Sequence, residues 1–254
     1  MAAIGIFDSG CGGLSVLKEI RALLPGLRCI YYSDNANCPY GDKSPEFVQN
    51  RCMAVTDLLL KRGASAVVVA CNTATAAAIP ALRAKYDIPF VGMEPAVKPA
   101  VSLTKSGVVG VLATSGTLGG TLYRNTKARY EGSVKVIEQV GLGFVELVES
   151  LETEGRHAQQ VVEASLMPLL EQGADTIVLG CTHYPFLLPL MKRLAGPGVC
   201  FIDPAPAVAR RLSDVLEENG IPLTDPCPGV ELLSSGDDST LIKLSTSDTL
   251  KISF

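Results

Sequence analysis

Two observations predict an α/β protein made of two similar parallel-sheet halves related by a pseudo-two-fold, with the active site in the cleft between them. The first is alternation of short β-branched runs with amphipathic helical stretches, the pattern of a mainly parallel sheet covered by helices. The second is an internal echo. Ala66-Val-Val-Val-Ala-Cys71-Asn-Thr returns as Asp175-Thr-Ile-Val-Leu-Gly-Cys181-Thr at an offset of 110 residues. Ile4-Gly-Ile-Phe-Asp8-Ser-Gly10 returns as Gly110-Val-Leu-Ala-Thr114-Ser-Gly116 at an offset of 106. Two buried strands can look alike by chance, but a Cys followed by a polar residue and Thr, or directly by Thr, at both strand ends weakens that explanation.

Strands are expected at Ala3–Phe7, Cys29–Ser33, Ala66–Ala70, Phe90–Gly92, Val108–Leu112, Lys135–Glu138, Thr176–Gly180 and Cys200–Ile202. After the first strand, Val16, Leu17, Ile20, Leu23 and Leu24 recur at helical spacing. Further helices are expected over Pro45–Lys61, Thr73–Lys85, Phe144–Leu151, Ala158–Glu171 and Ala207–Glu218. The echo divides the chain into a first domain of residues 1–94 plus 207–254 and a second of 95–206, with the last helix returning to the first half.

The 254 residues are 47% apolar and only 19% charged, enough to bury a sizeable core. A net charge of −4 without a Lys/Arg cluster argues against nucleic acid as partner, so local donors must hold any anionic ligand. No apolar stretch has the length of a membrane span, and the start shows no signal-peptide pattern, so a cytoplasmic protein with reduced thiols is expected. The eight cysteines form no CxxC pair, and Cys29, Cys52 and Cys200 are read as small buried hydrophobes.

In open parallel sheets, ligands bind beyond the carboxyl ends of the strands. Four polar clusters fall there: Asp8-Ser9-Gly10, Cys71-Asn72-Thr73, Thr114-Ser115-Gly116-Thr117 and Cys181-Thr182-His183. Facing halves bring Cys71 and Cys181 to one cleft from opposite sides. Stereoinversion needs that arrangement, because one base removes an α-hydrogen from one face and an acid returns it to the other. A thiol, with a reference pKa of about 8.5, can serve as either, and a following helix N-terminus lowers it. Asp8 and His183 are placed to act as proton partners of Cys71 and Cys181.

Bland readings compete with each residue taken singly. Asp8 can be an N-cap, His183 a capping residue, and His157 a solvated surface side chain. Asp34 and the loop Cys38-Pro39-Tyr40-Gly41 can be turn chemistry. Gly10-Cys11-Gly12-Gly13 lacks the spacing of a phosphate loop, and a zinc site from Cys71, Cys181 and His183 lacks zinc-ligand spacing. Two rivals from other classes stand beside the racemase reading: a Cys-dependent hydrolase with Cys181 as nucleophile, and a non-catalytic amino-acid-binding module.

Phe7-Asp8-Ser9-Gly10-Cys-Gly-Gly13, Pro39-Tyr40-Gly41, Ala70-Cys71-Asn72-Thr73-Ala74, Ala113-Thr-Ser-Gly-Thr117 and Leu179-Gly-Cys181-Thr182-His183-Tyr-Pro185 together resemble the cofactor-independent glutamate racemases. The resemblance spans nearly the whole chain. It implies that Cys71 deprotonates D-glutamate and Cys181 L-glutamate, with D-glutamate supplied to peptidoglycan and no cofactor or metal required. It further implies substrate binding by Asp8, Ser9, Tyr40, Gly41, Asn72, Thr73, Thr117, Thr182 and His183. Thr182-His183 stands where the related aspartate racemases carry Thr-Glu, which favours glutamate over aspartate or broad specificity. Gly141-Leu142 departs from the Cys-Pro usual before the helix near 144, and Glu149 aligns with a glutamate that the family places near His183. A homodimer is expected from the family, and no N-terminal extension of the kind tied in some members to activation by a cell-wall precursor is expected.

Overall fold

The computed structural model describes residues 3–130 and 132–247. The ends of the expected first domain, residues 1–2 and 248–254, lie outside the described residues. In chain order the regular elements are β1 (Ala3–Asp8), α1 (Leu14–Leu23), β2 (Arg28–Ser33), α2 (Pro45–Lys61), β3 (Ala64–Val69), α3 (Asn72–Lys85), β4 (Phe90–Val91) and α4 (Val97–Leu103). Then come β5 (Val108–Ala113), α5 (Ser115–Leu118), α6 (Thr121–Ala128), β6 (Lys135–Val140), α7 (Phe144–Glu149), α8 (Gly155–Glu171) and β7 (Thr176–Gly180). The chain continues through α9 (Leu188–Ala195), β8 (Cys200–Ile202), α10 (Ala205–Glu218), β9 (Gly229–Ser234) and α11 (Ser239–Ser245).

The strands form two all-parallel sheets, β4-β3-β1-β2-β9 and β6-β5-β7-β8. Read in the same direction, β4-β3-β1-β2 and β8-β7-β5-β6 have one topology, with each strand matched to the one four places later. The echo seen in the sequence is therefore a repeat of the central strands: β1 matches β5, and β3 matches β7. Every residue of β1 and β7 is buried, as expected for strands covered on both faces by crossover helices.

The main differences from expectation lie at the edges. β9 was not anticipated: it pairs in parallel with β2 along its whole length and extends the first sheet by one strand. All six of its residues are half-buried, so it shows neither the continuous apolar run of a central strand nor clean alternation. Cys200, expected in the core, is exposed, because it opens the short edge strand β8, where only one side is packed. Cys29 and Cys52 are buried as expected, and His157 is exposed against Glu152.

Helix boundaries follow local chemistry. Ser44 caps α2 by accepting the Phe47 N–H, with Pro45 in the first turn and Lys61 in the last. α10 buries Val208, Ala209, Leu212, Val215 and Leu216 and packs along α1, so the chain returns from the second sheet to the first. One apolar core runs from α1 and α10 through α7, α8 and α9, joining the two sheets' inner layers. Among the described residues no helix is long and apolar enough to cross a membrane.

Candidate active site

The carboxyl ends of β1, β3, β5 and β7 meet between the sheets, and each carries one of the four polar clusters. Cys71 ends the β3 segment and caps α3; its Sγ accepts the Ala74 N–H at 3.5 Å and its thiol points to Ser9 Oγ at 3.8 Å. Cys181 follows β7, and its Sγ lies 3.8 Å from His183 Nδ1. The two sulfur atoms are buried at equivalent ends of equivalent strands, Cys71 5% and Cys181 7% exposed.

Asp8 is fully buried at the end of β1. Its Oδ2 accepts the Gly13 N–H at 2.7 Å and the Thr182 hydroxyl at 3.3 Å, so it ties the first half to the residue beside Cys181. Burial pushes its carboxyl above the usual range, against the pull of His183, Gly13 and Cys71. Burial pushes the Cys71 thiol well up as well, reinforced by the Asp8 charge, while the Ala74 N–H and Ser9 oppose it. The expected lowering of this thiol by a helix N-terminus is thus outweighed by its dry surroundings. For Cys181 the expected helix is not immediately adjacent: a turn and a single 3₁₀ segment over Tyr184–Leu187 precede α9.

His183 is buried, with Nδ1 toward Cys181 and Nε2 donating to Glu149 Oε1 at 2.7 Å. Burial alone would lower its pKa, but contacts with Cys11, Cys181, Cys38 and Glu149 raise it well above the ordinary imidazole value. Glu149, despite burial, is pulled down to about 2 by the His183 hydrogen bond and charge and by the Cys11 N–H, which it accepts at 2.8 Å. The pair is therefore an imidazolium–carboxylate ion pair beside Cys181.

Glu149 is the last residue of α7 and reaches His183 despite the departure at Gly141-Leu142. A Cβ on Gly141 would lie 2.5 Å from the Tyr184 hydroxyl, so a side chain here requires Tyr184, the residue after His183, to shift. Gly143 then caps α7 at φ +78°. The Gly10–Gly13 loop works by close approach as well: a Cβ on Gly10 would fall 2.0 Å from Glu149 Oε1, and one on Gly12 would fall 2.4 Å from His183 Nδ1.

The predicted binding residues line the same cleft with different commitments. Asn72 is buried with both its amide nitrogen and its carbonyl oxygen unpartnered, an arrangement that leaves a donor and an acceptor for a ligand. The hydroxyls of Thr73, Thr114 and Thr117 form a triangle across the halves, with separations of 2.8, 3.0 and 3.4 Å. Ser15 donates to the Thr182 carbonyl, and Ser115 to the Gly41 carbonyl. Tyr40 is buried in the loop that opens at Cys38, but its hydroxyl is given to Asp34 at 2.5 Å, and Arg51 holds Asp34 through two more bonds. Tyr40 and Gly41 can thus serve a ligand only through ring and backbone. Asp34, read from sequence as turn chemistry, is a buried hub whose carboxyl Arg51 and Tyr40 keep below the usual range in spite of burial.

Sequence reasoning missed Cys11 and Cys38. Both approach His183 and Glu149: the Cys38 thiol lies 3.8 Å from Glu149 Oε1, and the donor atoms of Cys11, Glu149 and His183 lie within 4.8 Å of one another. Both thiols are pushed up by burial, Cys11 to about 12. The only signal was their position inside the two glycine-containing motifs.

This geometry can be compared with known proteins. A family model for Asp/Glu/Hydantoin racemases matches residues 4–212. A glutamate racemase of Ectopseudomonas mendocina is 48% identical over 237 residues, covering 93% of this chain and 90% of that protein. The crystal structure of glutamate racemase isoform RacE1 from Bacillus anthracis superposes with a TM-score of 0.85 at 36% identity, covering 94% of this chain and 91% of that one. Escherichia coli glutamate racemase in complex with L-glutamate and the activator UDP-MurNAc-ala gives 0.83 at 35% identity, over 95% of this chain and 93% of that one. Two buried thiols at matched strand ends, the four polar clusters around them and these likenesses lead to one conclusion: this chain belongs to the Asp/Glu/Hydantoin racemase family.

Proposed function

We propose that this chain interconverts L- and D-glutamate by two-thiol proton transfer, without pyridoxal phosphate or a catalytic metal, and so supplies D-glutamate for peptidoglycan in the cytoplasm. The observation that carries the proposal is the pair Cys71 and Cys181, buried at equivalent strand ends, each with its own ionisable neighbour.

In the L-to-D direction the Cys181 thiolate, stabilised by the His183 imidazolium, takes the α-proton and becomes a thiol. The electron pair left on the α-carbon spreads onto the carboxylate. The Cys71 thiol then delivers its proton to the opposite face and becomes a thiolate, giving D-glutamate. In reverse, Cys71 is the base. Asp8 helps it there, because burial lifts the carboxyl toward the thiol's range and makes it a better-matched acceptor than an ordinary aspartate. The α-proton is far less acidic than a thiol, so most of the barrier must be lowered by charge stabilisation in a dry site. Asn72, Thr73, Thr117, Thr182 and Ser9, with the backbone at Tyr40-Gly41, are the groups we assign to that work and to holding the carboxylates and amine.

Residues 1–94 with 207–254, and 95–206, act in this reading as two bodies that part to admit substrate and close over it. We read the working unit as a homodimer, on the family resemblance, and light scattering during turnover checks it. The reaction itself is tested by incubating L-glutamate with the enzyme in D2O. Deuterium at Cα together with accumulation of D-glutamate is expected; binding without exchange, or equal exchange of aspartate, overturns the assignment.

A further inference from the structure

Three potential metal donors, from Cys11, Glu149 and His183, lie together beside Cys181, and the Cys38 thiol approaches Glu149 as a fourth. Cys11 comes from the loop after β1, Cys38 from the loop after β2, Glu149 from the end of α7 and His183 from the end of β7. Cys11 and His183 are buried, and Cys38 and Glu149 are half-buried. Two thiols, an imidazole and a carboxylate form the donor set that zinc and similar borderline cations choose over calcium or magnesium.

The distances suit a cation. Tetrahedral zinc with bonds of about 2.0–2.3 Å sets neighbouring N, O and S ligands about 3.3–3.8 Å apart. Cys38 Sγ stands 3.8 Å from Glu149 Oε1, and the Cys11, Glu149 and His183 donors lie within 4.8 Å of each other. His183 Nε2 and Glu149 Oε1, at 2.7 Å, are joined by a proton, and replacing that proton with a cation requires an opening of about 0.6 Å. His183 Nδ1 still faces Cys181 in that arrangement.

The geometry points to a regulatory site for a zinc-like divalent cation at Cys11, Cys38, Glu149 and His183, whose occupation inhibits the enzyme. Binding displaces the two thiol protons and the shared imidazole proton to solvent and leaves four metal–ligand bonds. The metal-bound imidazole no longer supplies the imidazolium that stabilises the Cys181 thiolate. The inhibitory half of this inference rests on the racemase reading; the binding half does not.

The experiment titrates the reduced, metal-free protein with zinc against a chromophoric chelator without substrate, and with cobalt(II) as a spectroscopic stand-in. One equivalent of zinc with a dissociation constant below about 1 μM is expected, and a thiolate-to-cobalt charge-transfer band. Cys11→Ser and Cys38→Ser should each weaken binding at least tenfold and lessen inhibition of glutamate turnover by zinc. If Cys11→Ser fails to fold, Cys38→Ser carries the test alone. Cys71→Ser should keep the stoichiometric site. Absence of a stoichiometric site, survival of full affinity in Cys38→Ser, or loss of the site in Cys71→Ser overturns the proposal. Zinc binding in a protein that does not turn over glutamate would defeat the racemase reading and leave the metal site standing.

Discussion

The two sulfur atoms differ in company although the strands that carry them are alike. Cys71 faces Ser9 and feels Asp8, a neutral hydroxyl and a carboxylate; Cys181 faces an imidazolium fixed by Glu149. In the proposed mechanism each thiol serves one isomer, Cys181 the L and Cys71 the D, as the family resemblance implies. Serine at either position should nearly abolish racemisation, because each turnover uses both faces and a hydroxyl is a far weaker base. Elimination of HX from a β-substituted analogue needs only the first deprotonation. Cys71→Ser should therefore still process the L-isomer and Cys181→Ser the D-isomer, read by isomer-resolved elimination; loss of the same isomer in both would refute the assignment. Glu149 acts one step back, as a positioning residue. Glu149→Gln removes the carboxylate that, with Cys11, Cys181 and Cys38, raises the His183 pKa, so activity toward L-glutamate should fall tenfold or more. Its alkaline limb in the pH–rate profile should move to lower pH. An unchanged profile with lower activity would mean that Glu149 is merely packing.

At the scale of elements, the glycines around α7 decide whether Glu149 arrives. Gly143 holds φ +78°, and a Cβ there would also meet Val161 Cγ1 at 3.0 Å. Gly143→Ala should cost about 1–2 kcal/mol from the left-handed backbone alone, seen as a lower melting temperature. It should slow L-glutamate deprotonation more than D-glutamate deprotonation, since the error is passed to His183. The contrast shows what the sequence could carry. Central strands were readable because burial on both faces writes β-branched runs into β1, β3, β5 and β7, and the strand-end clusters followed from topology. β9 was not, because a half-buried edge strand has no such signature. Cys11 and Cys38 were missed because their contact with Glu149 comes from more than a hundred positions away, and Asp34 because a loop and α2 bring Tyr40 and Arg51 onto it along a path no local pattern specifies. Tyr40 was expected as a binding residue from the resemblance, but the commitment of its hydroxyl to Asp34 is visible only in three dimensions.

At the scale of the molecule, the halves share an apolar layer but meet at the cleft through polar bonds, and Glu149 is central among them. It lies in the second half, accepts the Cys11 N–H from the first, and receives the Thr240 hydroxyl on its carbonyl. Both thiols are nearly buried at this cleft, beside these bonds. The pH dependence of the bonds follows from the directions of the shifts. Glu149 falls from 4.5 to about 2 on folding, so its stabilisation is complete above about 4.5 and is lost as pH drops toward 2. His183 is raised above 6.5, so its share is complete below 6.5 and is lost as pH climbs through its folded value. The ion pair contributes to both shifts and counts once, with an upper bound of roughly 3 kcal/mol from the Glu149 shift, while Cys11, Cys181 and Cys38 also raise His183. Asp8 acts the opposite way: its raised pKa favours the folded state in acid, so the wild-type acid limb alone is ambiguous. The difference between wild type and Glu149→Gln removes that ambiguity. Urea unfolding from pH 3 to 9 should give the largest difference between about pH 4.5 and 6.5, shrinking on both sides. A difference that stays constant across the range would show that Glu149 holds the halves together by shape and not by charge.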